Sequence, residues 1–301
     1  MPSLDALMAS DHDLVAVVSR PDAPSGRGKR LTASPVAERA AKLGLETLKP
    51  RRPRDEDFIE RLAEIAPDCC PVVAYGALLP QRVLDVPAHG FVNLHFSVLP
   101  RWRGAAQVQH AVLAGDATTG ATTFLIMLEL DAGPTYDVVT EPIGPTDTAG
   151  DLLTRLAYSG SNLLVSTLDA IEAGTQPTPQ PAAGATLAPK ISVDDAEIGW
   201  EQPAVVIDRL VRGCSPSPGA WTTFRGERFK IASATPVEGT LTPGVLEISR
   251  RSVRVGTGAG LLELGRVQAQ GKRPMPAPDW ARGVGSGGIG AAAAEPVRLG
   301  S

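Results

Sequence analysis

The sequence alternates between two hydrophobic periods along residues 14–173, and this alternation narrows the possible folds more than any other feature. Short runs that are apolar throughout, such as CCPVVAYG and GFVNLHF, alternate with segments of helical spacing, such as DEDFIERLAEIA. Apolar strands separated by helices are typical of a parallel sheet that is covered by helices on both faces. The pattern therefore predicts an α/β domain with a parallel sheet over residues 1–178.

The period changes after this segment, which predicts a linker and a second domain. Residues 176–189 are rich in Pro, Ala and Thr, a composition typical of linkers, and we place the linker at 179–203. Short strand-like runs broken by Gly and Pro follow, including RFKIASA and RSVRVGTG, and they predict a small β-barrel over residues 204–282. The Gly- and Ala-rich end, residues 283–301, is predicted to be disordered.

Charge is distributed unevenly along the chain. Residues 1–204 hold 16 Lys and Arg against 26 Asp and Glu, whereas residues 205–301 hold 13 against 7. A basic C-terminal third is compatible with a nucleic-acid-binding surface and equally with ordinary surface variation. Charge alone therefore leaves both interpretations open.

Three further patterns bear on the class of protein. No apolar run reaches the roughly 18 residues of a membrane-spanning helix. The N-terminus lacks the basic and then apolar pattern of a secretory signal. The three cysteines, Cys69, Cys70 and Cys214, are not spaced as metal ligands. We therefore expect a cytoplasmic protein with reduced cysteines, no membrane segment and no metal.

The strand-like run GFVNLHF contains two candidate catalytic residues. Asn93 and His95 are two residues apart, so alternation along a strand places both side chains on the same face. Open α/β sheets bind their ligands beyond the carboxyl ends of the strands. An amide donor beside an imidazole suits stabilisation of an oxyanion together with transfer of a proton.

Asp131 is the third candidate, because it follows the next strand-like run in the segment LELDAG and should reach the same site. It could orient His95 or, if burial raises the pKa of its carboxyl group, donate a proton to a leaving group. A buried structural histidine and a turn aspartate before Gly133 explain the same residues without catalysis. The spacing leaves these alternatives open.

Several segments resemble the folate-dependent formyltransferases, in particular the members that formylate methionyl-tRNA. NLHFSVLPRWRGAA and LELDAG carry the resemblance, and RPDAPSGRGKRLTASPV, GCSPSPGAW and GKRPM extend it over residues 1–282. It implies a Rossmann-like formyltransferase domain followed by a C-terminal, OB-like β-barrel that helps to hold tRNA. It also implies that a monomer transfers a formyl group from 10-formyltetrahydrofolate to the α-amino group of methionine on initiator tRNA, for translation initiation.

The resemblance implies three groups of site residues, each carried over by its position in a shared motif. The catalytic group is Asn93, His95 and Asp131. The folate-contacting segment is Ser97, Val98, Leu99 and Pro100. The basic loop expected to contact the acceptor stem of tRNA contains Arg27, Lys29 and Arg30. A loop with three cations suits contacts with a phosphate backbone.

The chain departs from the family pattern at its start. Members of the family begin with a strand and a Gly-Thr-Pro turn before the segment that resembles MPSLDALMAS. We therefore expect the true start to lie upstream, and the sequence as written to be marginally stable without a central strand. Two smaller departures are Val98, where Leu is usual, and Gln107, where Pro is usual. We expect neither to affect the chemistry.

Two alternative functions remain open at this stage. The first is a related enzyme that formylates a small amine or hydrolyses formylfolate, although neither reaction needs a basic loop and a second domain. The second is a catalytically silent RNA-binding relative, although the intact Asn93, His95 and Asp131 argue against it.

Overall fold

The computed structural model describes residues 1–25, 28, 30–285 and 296–300. The chain forms two compact units whose segments alternate along the sequence. The first unit contains Met1–Gln107, Thr118–Pro142 and Leu153–Ala188. The second unit contains Val108–Ala117, Ile143–Leu152 and Pro189–Ser301.

The helices and strands up to residue 188 belong mainly to the first unit. Up to His95 they are α1 (Pro2–Met8), β1 (Ala16–Val18), β2 (Ala23–Ser25), β3 (Arg30–Thr32), α2 (Pro35–Lys42), β4 (Glu46–Leu48), α3 (Glu56–Ile65), β5 (Cys70–Val72), α4 (Gln81–Leu84) and β6 (Phe91–His95). They continue with β7 (Arg103–Gly104), α5 (Gln107–Ala114), β8 (Thr118–Leu125), β9 (Thr135–Pro142), α6 (Ala149–Glu172) and β10 (Leu187–Ala188).

Helix α2 illustrates how the sequence sets a helix boundary. The Ser34 hydroxyl accepts a hydrogen bond from the Ala37 N–H at 3.1 Å, which satisfies one of the unpaired donors of the first turn. Pro35 follows at the first helical position, where a missing N–H costs nothing. Ala37 and Ala40 then form the buried face of the helix.

The main sheet of the first unit has the strand order β5-β6-β8-β9. Strands β5 and β6 are parallel, whereas β6 and β8, and also β8 and β9, are antiparallel. The expectation of a parallel sheet is therefore wrong beyond β6. A single loop, residues 126–134, joins β8 to β9, and a hairpin connection returns the chain antiparallel. The residues of β8 are mostly buried whichever way the strand runs, so their pattern cannot reveal its orientation.

Strands β1 and β4 form a separate parallel pair. Within the described part of the chain, β1 pairs only with β4 and β5 only with β6. Both pieces of sheet contribute to one apolar cluster, because Val18 of β1 and Val72 of β5 pack against a core that includes Phe58 and Leu62 of α3. The sheet of the first unit is therefore interrupted, and β1 and β5 each present an open edge.

The second unit is built mainly of antiparallel strands. Beyond Pro189 the elements are a 3₁₀ turn (Asp194–Ala196), α7 (Ala204–Gly213), β11 (Trp221–Phe224), β12 (Glu227–Ile231), β13 (Ala234–Val237), β14 (Leu246–Ile248), β15 (Val253–Gly256), β16 (Leu261–Leu264), β17 (Arg266–Ala269), β18 (Met275–Pro276) and α8 (Ala277–Gly285). They form two four-stranded sheets with the orders β11-β12-β17-β18 and β13-β16-β15-β14.

Both sheets of the second unit contribute to one apolar core. Phe229 and Ile231 come from the first of these sheets, and Val255 and Leu262 come from the second. Antiparallel strands around a shared core agree with the sequence prediction in outline. Among the described residues no hydrogen-bonded ladder joins the two sheets, so closure into an OB-like barrel stays a prediction.

The predicted disordered tail lies largely outside the described residues, which omit 286–295 and 301. At its two described ends the structure differs from that expectation. Helix α8 continues to Gly285, and Leu299 is buried, with its N–H donating to the Gly244 carbonyl at 2.9 Å. An apolar side chain that fills a core position orders the backbone around it.

The helices that the structure describes include none with the length and hydrophobicity of a membrane-spanning segment.

Candidate active site

Strand β6 presents the first two candidate catalytic side chains. Asn93 is half-buried, and its amide forms no hydrogen bond with any residue that the structure describes. His95 is 2% exposed. Its ring packs edge-on against Phe124 of the neighbouring strand β8, with the ring centroids 6.0 Å apart. The sheet therefore brings a half-buried amide with free hydrogen-bonding capacity and a buried imidazole to the same face.

The neighbours of His95 determine which of its ring nitrogens carries the proton. Its Nε2 lies 3.0 Å from the backbone carbonyl oxygen of Trp102, which can only accept, so Nε2 must donate. Its Nδ1 lies 3.2 Å from the side-chain nitrogen of Gln107 and 3.7 Å from the Asp131 carboxylate. Burial lowers the pKa of His95, Asp131 partly opposes this shift, and Arg103 adds to it. The imidazole is therefore neutral near pH 7, with its lone pair on Nδ1.

Asp131 reaches His95 by a different route from the one that its place in the sequence predicts. Strand β8 is antiparallel to β6, and its last residue pairs with Val92, near the start of β6. Asp131 therefore does not follow a strand end beside His95. Instead, the loop of residues 126–134 brings its carboxylate back to within 3.7 Å of His95 Nδ1. The expected proximity is observed, although the strand direction used to predict it is wrong.

Backbone contacts hold the Asp131 loop in place. The Gln180 side-chain amide donates to the carbonyl oxygens of Asp131, at 2.8 Å, and of Gly133, at 2.7 Å. The Asp131 carboxylate accepts a hydrogen bond from the Gly104 N–H at 2.7 Å. Asp131 and Trp102 both have left-handed backbone conformations, with φ of 50° and 61°. Such strain in non-glycine residues persists only where the surroundings enforce it, and it clusters at functional sites.

The predicted folate segment follows β6 directly. Ser97 is fully buried, and its hydroxyl donates to the Arg101 carbonyl at 2.6 Å, so this side chain shapes the loop. Val98 and Leu99 line a cavity of about 240 Å³. The neighbouring Pro100 is half-buried, and its peptide bond with Leu99 is cis. Of the four predicted residues, Val98 and Leu99 are therefore the ones that face an open space.

The far wall of this cavity comes from the strands beyond β6. Thr122 of β8 and Tyr136 of β9 line it, together with Thr178. Burial raises the pKa of the Tyr136 phenol, so this group is a neutral hydrogen-bond donor near neutral pH. Thr122 is also the cross-strand partner of His95. The cavity therefore lies next to the candidate catalytic residues and offers both apolar and hydroxyl groups to a ligand.

The predicted tRNA-binding loop is only partly described. Arg27 and Lys29 lie outside the described residues. Arg30 is exposed at the start of β3, which pairs with β2 in a short antiparallel hairpin. The structure therefore does not test the predicted role of this loop.

The strands of one sheet in the second unit contain a single cation, Arg254, which forms ion pairs. On the sheet β13-β16-β15-β14, the Arg254 guanidinium lies 3.6 Å from Glu247 and 3.2 Å from Glu263. Both carboxylates come from strands adjacent to the one that holds Arg254. The positive charge on this sheet is therefore locally balanced.

The other sheet carries cations without carboxylate partners. Arg228 and Lys230 of β12 form no ion pair with any described residue. The Arg228 guanidinium instead lies 4.1 Å from the centroid of the Trp221 ring, and Lys230 donates to the Pro218 carbonyl at 3.0 Å. An aromatic side chain with unpaired cations is the combination that nucleic-acid surfaces use.

Sequence reasoning missed two residues that shape the site. Gln107 was expected to be irrelevant to the chemistry, yet its amide contacts His95 Nδ1. Gln180 lies in a Pro- and Ala-rich stretch with no pattern that marks it, so nothing in the sequence could have identified it.

Among the described residues no group of His, Cys, Asp and Glu side chains is arranged to hold a metal ion.

Comparisons with known proteins give consistent matches. The profile of formyl transferases matches residues 2–168, and that of the formyl transferase C-terminal domain matches residues 190–285. The methionyl-tRNA formyltransferases of Streptomyces griseus and Streptomyces coelicolor are each 64% identical over 288 residues, which cover 94% of this chain and 93% of theirs. The crystal structure of WlaRD, a sugar 3N-formyl transferase, has a TM-score of 0.67 at 15% identity, covering 90% of this chain and 94% of that chain. At that identity the similarity concerns the fold alone.

Proposed function

The chain belongs to the formyl transferase family, and on that premise we propose that it transfers a formyl group from 10-formyltetrahydrofolate to the α-amino group of methionyl initiator tRNA. The resemblance first stated from sequence motifs is confirmed at the level of the family. The identity of 64% with methionyl-tRNA formyltransferases, over nearly the whole of both chains, supports this choice of acceptor.

The observation that carries the proposal is the neutral, buried imidazole of His95, which lies 3.7 Å from Asp131 and two residues from Asn93 on the same strand. The folate supplies the activated formyl group. The Asn93 amide donates a hydrogen bond to the formyl oxygen as negative charge develops there. His95 Nδ1 accepts a proton from the attacking amine, and the Asp131 carboxylate, 3.7 Å away, stabilises the resulting imidazolium. As the bond between the amine nitrogen and the formyl carbon forms, the bond from that carbon to N10 of the folate breaks, and the proton passes from His95 to N10, which leaves as tetrahydrofolate.

The cavity beside His95 supports the placement of the folate. Val98 and Leu99 supply apolar contacts, and Tyr136 and Thr178 carry hydroxyl groups in the lining of the same cavity. A concave site that combines apolar side chains with several polar ones suits a heterocyclic ligand that carries hydrogen-bonding atoms. We propose that the segment from Ser97 to Pro100 binds the folate within a catalytic domain of residues 1–178.

We propose that tRNA is held at two places. Arg27, Lys29 and Arg30 would contact the acceptor stem, and the domain of residues 204–282, reached through the linker 179–203, would hold the rest. The unpaired cations Arg228 and Lys230 support the second contact. We further propose that the enzyme acts as a monomer in the cytoplasm, where initiator tRNA is used.

A labelled formyl group would test the proposal. The protein is incubated with formyl-labelled 10-formyltetrahydrofolate and one of four acceptors: methionyl initiator tRNA, methionyl elongator tRNA, a small amine or none. Label should accumulate on initiator tRNA. Transfer to the small amine, or loss of label without any acceptor, would identify one of the alternative enzymes. Absence of turnover with retained tRNA binding would identify a silent RNA-binding protein.

A further inference from the structure

The geometry points to Gln107 as a positioning residue that holds His95 in the tautomer with its lone pair on Nδ1. This inference rests on the proposed function, because the lone pair matters only if His95 acts as a base. Gln107 is the first residue of α5, and its side chain extends to both Gly104 and His95.

The orientation of the Gln107 amide follows from its stronger contact. Its side-chain nitrogen lies 2.5 Å from the Gly104 carbonyl oxygen, which can only accept a hydrogen bond. The group that faces Gly104 must therefore be NH₂. The second hydrogen of this NH₂ group is then available for His95 Nδ1, 3.2 Å away. A donor at this position requires that Nδ1 is not protonated.

Two independent neighbours thus impose the same protonation state on His95. The Trp102 carbonyl requires a proton on Nε2, and the Gln107 amide requires a lone pair on Nδ1. The charged groups that face the ring are Asp131, which favours the imidazolium, and Arg103, which opposes it. Gln107 therefore counteracts Asp131 before the acceptor arrives. When an amine approaches, its N–H replaces that of Gln107 as the donor to Nδ1.

Gln107→Leu removes this donor at similar volume. Without the hydrogen bond the neutral imidazole is less stable, so the pKa of His95 should rise. The loss of a typical hydrogen bond corresponds to a rise of about half to one unit in the pKa of His95. The acidic limb of kcat/KM should move up in pH by that amount, and kcat/KM at low pH should fall about three- to ten-fold more than on the plateau. Gln107→Glu should move the limb further in the same direction, because a carboxylate favours the imidazolium.

Gln109→Leu, two residues along the same helix, is the matched control and should leave the pH profile unchanged. Gln107→Pro offers a second variant without the amide, since proline is tolerated at the first position of a helix. A merely structural role would lower the rate by one factor at every pH. An unmoved acidic limb in the Leu and Glu variants would overturn the proposal.

Imidazole NMR gives a readout that does not depend on turnover. The nitrogen shifts of His95, assigned by their loss in His95→Asn, should indicate protonated Nε2 and unprotonated Nδ1 in the unaltered protein. The midpoint of its titration should be higher in Gln107→Leu. If the unaltered protein transfers no formyl group while the tautomer is as described, the proposed function fails, although the hydrogen bond from Gln107 still sets the tautomer of His95. A proton found on Nδ1 would overturn the positioning role.

Discussion

At the scale of single residues, His95 is the most tightly constrained side chain of the site. Its two ring nitrogens face a carbonyl acceptor and an amide donor, and only 2% of the residue is exposed. Asn93 contrasts with it, since its amide has no described hydrogen-bond partner and is half-buried. One residue is therefore fixed by the protein, and the other keeps its donors for a ligand.

Replacing either of these two residues should slow the reaction without unfolding the chain. Asn93→Ala removes a donor to the developing oxyanion, and His95→Ala removes the base. The loss of one such interaction typically lowers kcat by about 10² to 10³. Single-turnover rates with saturating folate and tRNA would measure the loss, and melting curves would check folding. Near-normal rates in either variant would contradict the assigned role.

The pH dependence of kcat/KM should reflect the lowered pKa of His95. A base must be neutral to act, so activity should fall as the pH falls through this pKa. Because burial lowers the pKa, the acidic limb should lie below the ordinary histidine value of about 6.5. Asp131→Asn removes the charge that opposes this shift, so the limb should move to still lower pH. A limb at or above the ordinary value would indicate a different base.

At the scale of single residues, the sequence predicted which residues belong to the candidate site better than it predicted their side-chain contacts. Asn93, His95 and Asp131 could be recognised from their motifs, and the structure brings Asp131 to His95. The role of Gln107 could not be predicted, because its contact depends on the turn between β7 and α5. A glutamine at the start of a helix is, in sequence terms, an ordinary polar residue.

At the scale of elements, the loop of residues 126–134 brings Asp131 to His95, whereas the sequence predicted that the end of a strand would do so. The run GFVNLHF predicted the position of β6 well, because burial on both faces leaves a clear signal, whereas the strand predicted over ATTFLIML extends beyond the end of β8 at Leu125. Neither run predicted that β8 is antiparallel to β6, because side-chain hydrophobicity carries no direction. The loop must therefore return along the sheet, and its path depends on close backbone contacts that a sequence pattern does not contain.

Gly133 should be essential to the path of this loop. A Cβ at this position would lie 1.8 Å from the Leu125 carbonyl oxygen, so Gly133→Ala must displace the backbone next to Asp131. We expect a loss of about 1–3 kcal/mol in the free energy of unfolding, together with a large fall in kcat. Gly199→Ala is the control, because the nearest atom to its Cβ would be a Gln202 side-chain carbon 3.9 Å away. Equal stability and activity in the two variants would show that the loop tolerates the added methyl group.

The two sheets of the second unit should differ in their effect on tRNA binding. Arg228→Gln with Lys230→Gln removes two unpaired cations, and each lost phosphate contact should reduce the slope of log K against log salt by roughly one. Arg254→Gln removes a cation that two carboxylates already balance, so it should have little effect. Titration of fluorescent tRNA at several salt concentrations would measure both slopes. Equal slopes in the two variants would exclude the sheet β11-β12-β17-β18 as a tRNA surface.

At the scale of the whole molecule, the chain passes repeatedly between its two units. Sequence periodicity suggested contiguous domains, because a change of period marks where one kind of structure ends and another begins. It does not reveal that residues 108–117 and 143–152 belong to the second unit. There the Asp147 carbonyl accepts from Arg212 at 3.1 Å, and the Gly150 N–H donates to the Ser215 carbonyl at 3.1 Å.

A chain truncated after Ala188 should therefore lack these partners. We expect limited proteolysis to cut such a fragment within residues 108–117 and 143–152, which the complete chain should protect. Co-expression with the missing segment should restore protection. A truncated fragment as resistant as the complete chain would mean that these two segments fold without the later residues.

The alternation of the two units also orders events during synthesis. The peptide N–H of Gly150 leaves the ribosome before Ser215, its hydrogen-bond partner, has been translated, and at roughly 5–20 residues per second this interval lasts several seconds. During that time the nascent chain exposes a segment whose native neighbours do not yet exist. Chaperones could bind the segment around Gly150 during this interval. A translational pause before codon 190 would lengthen the interval.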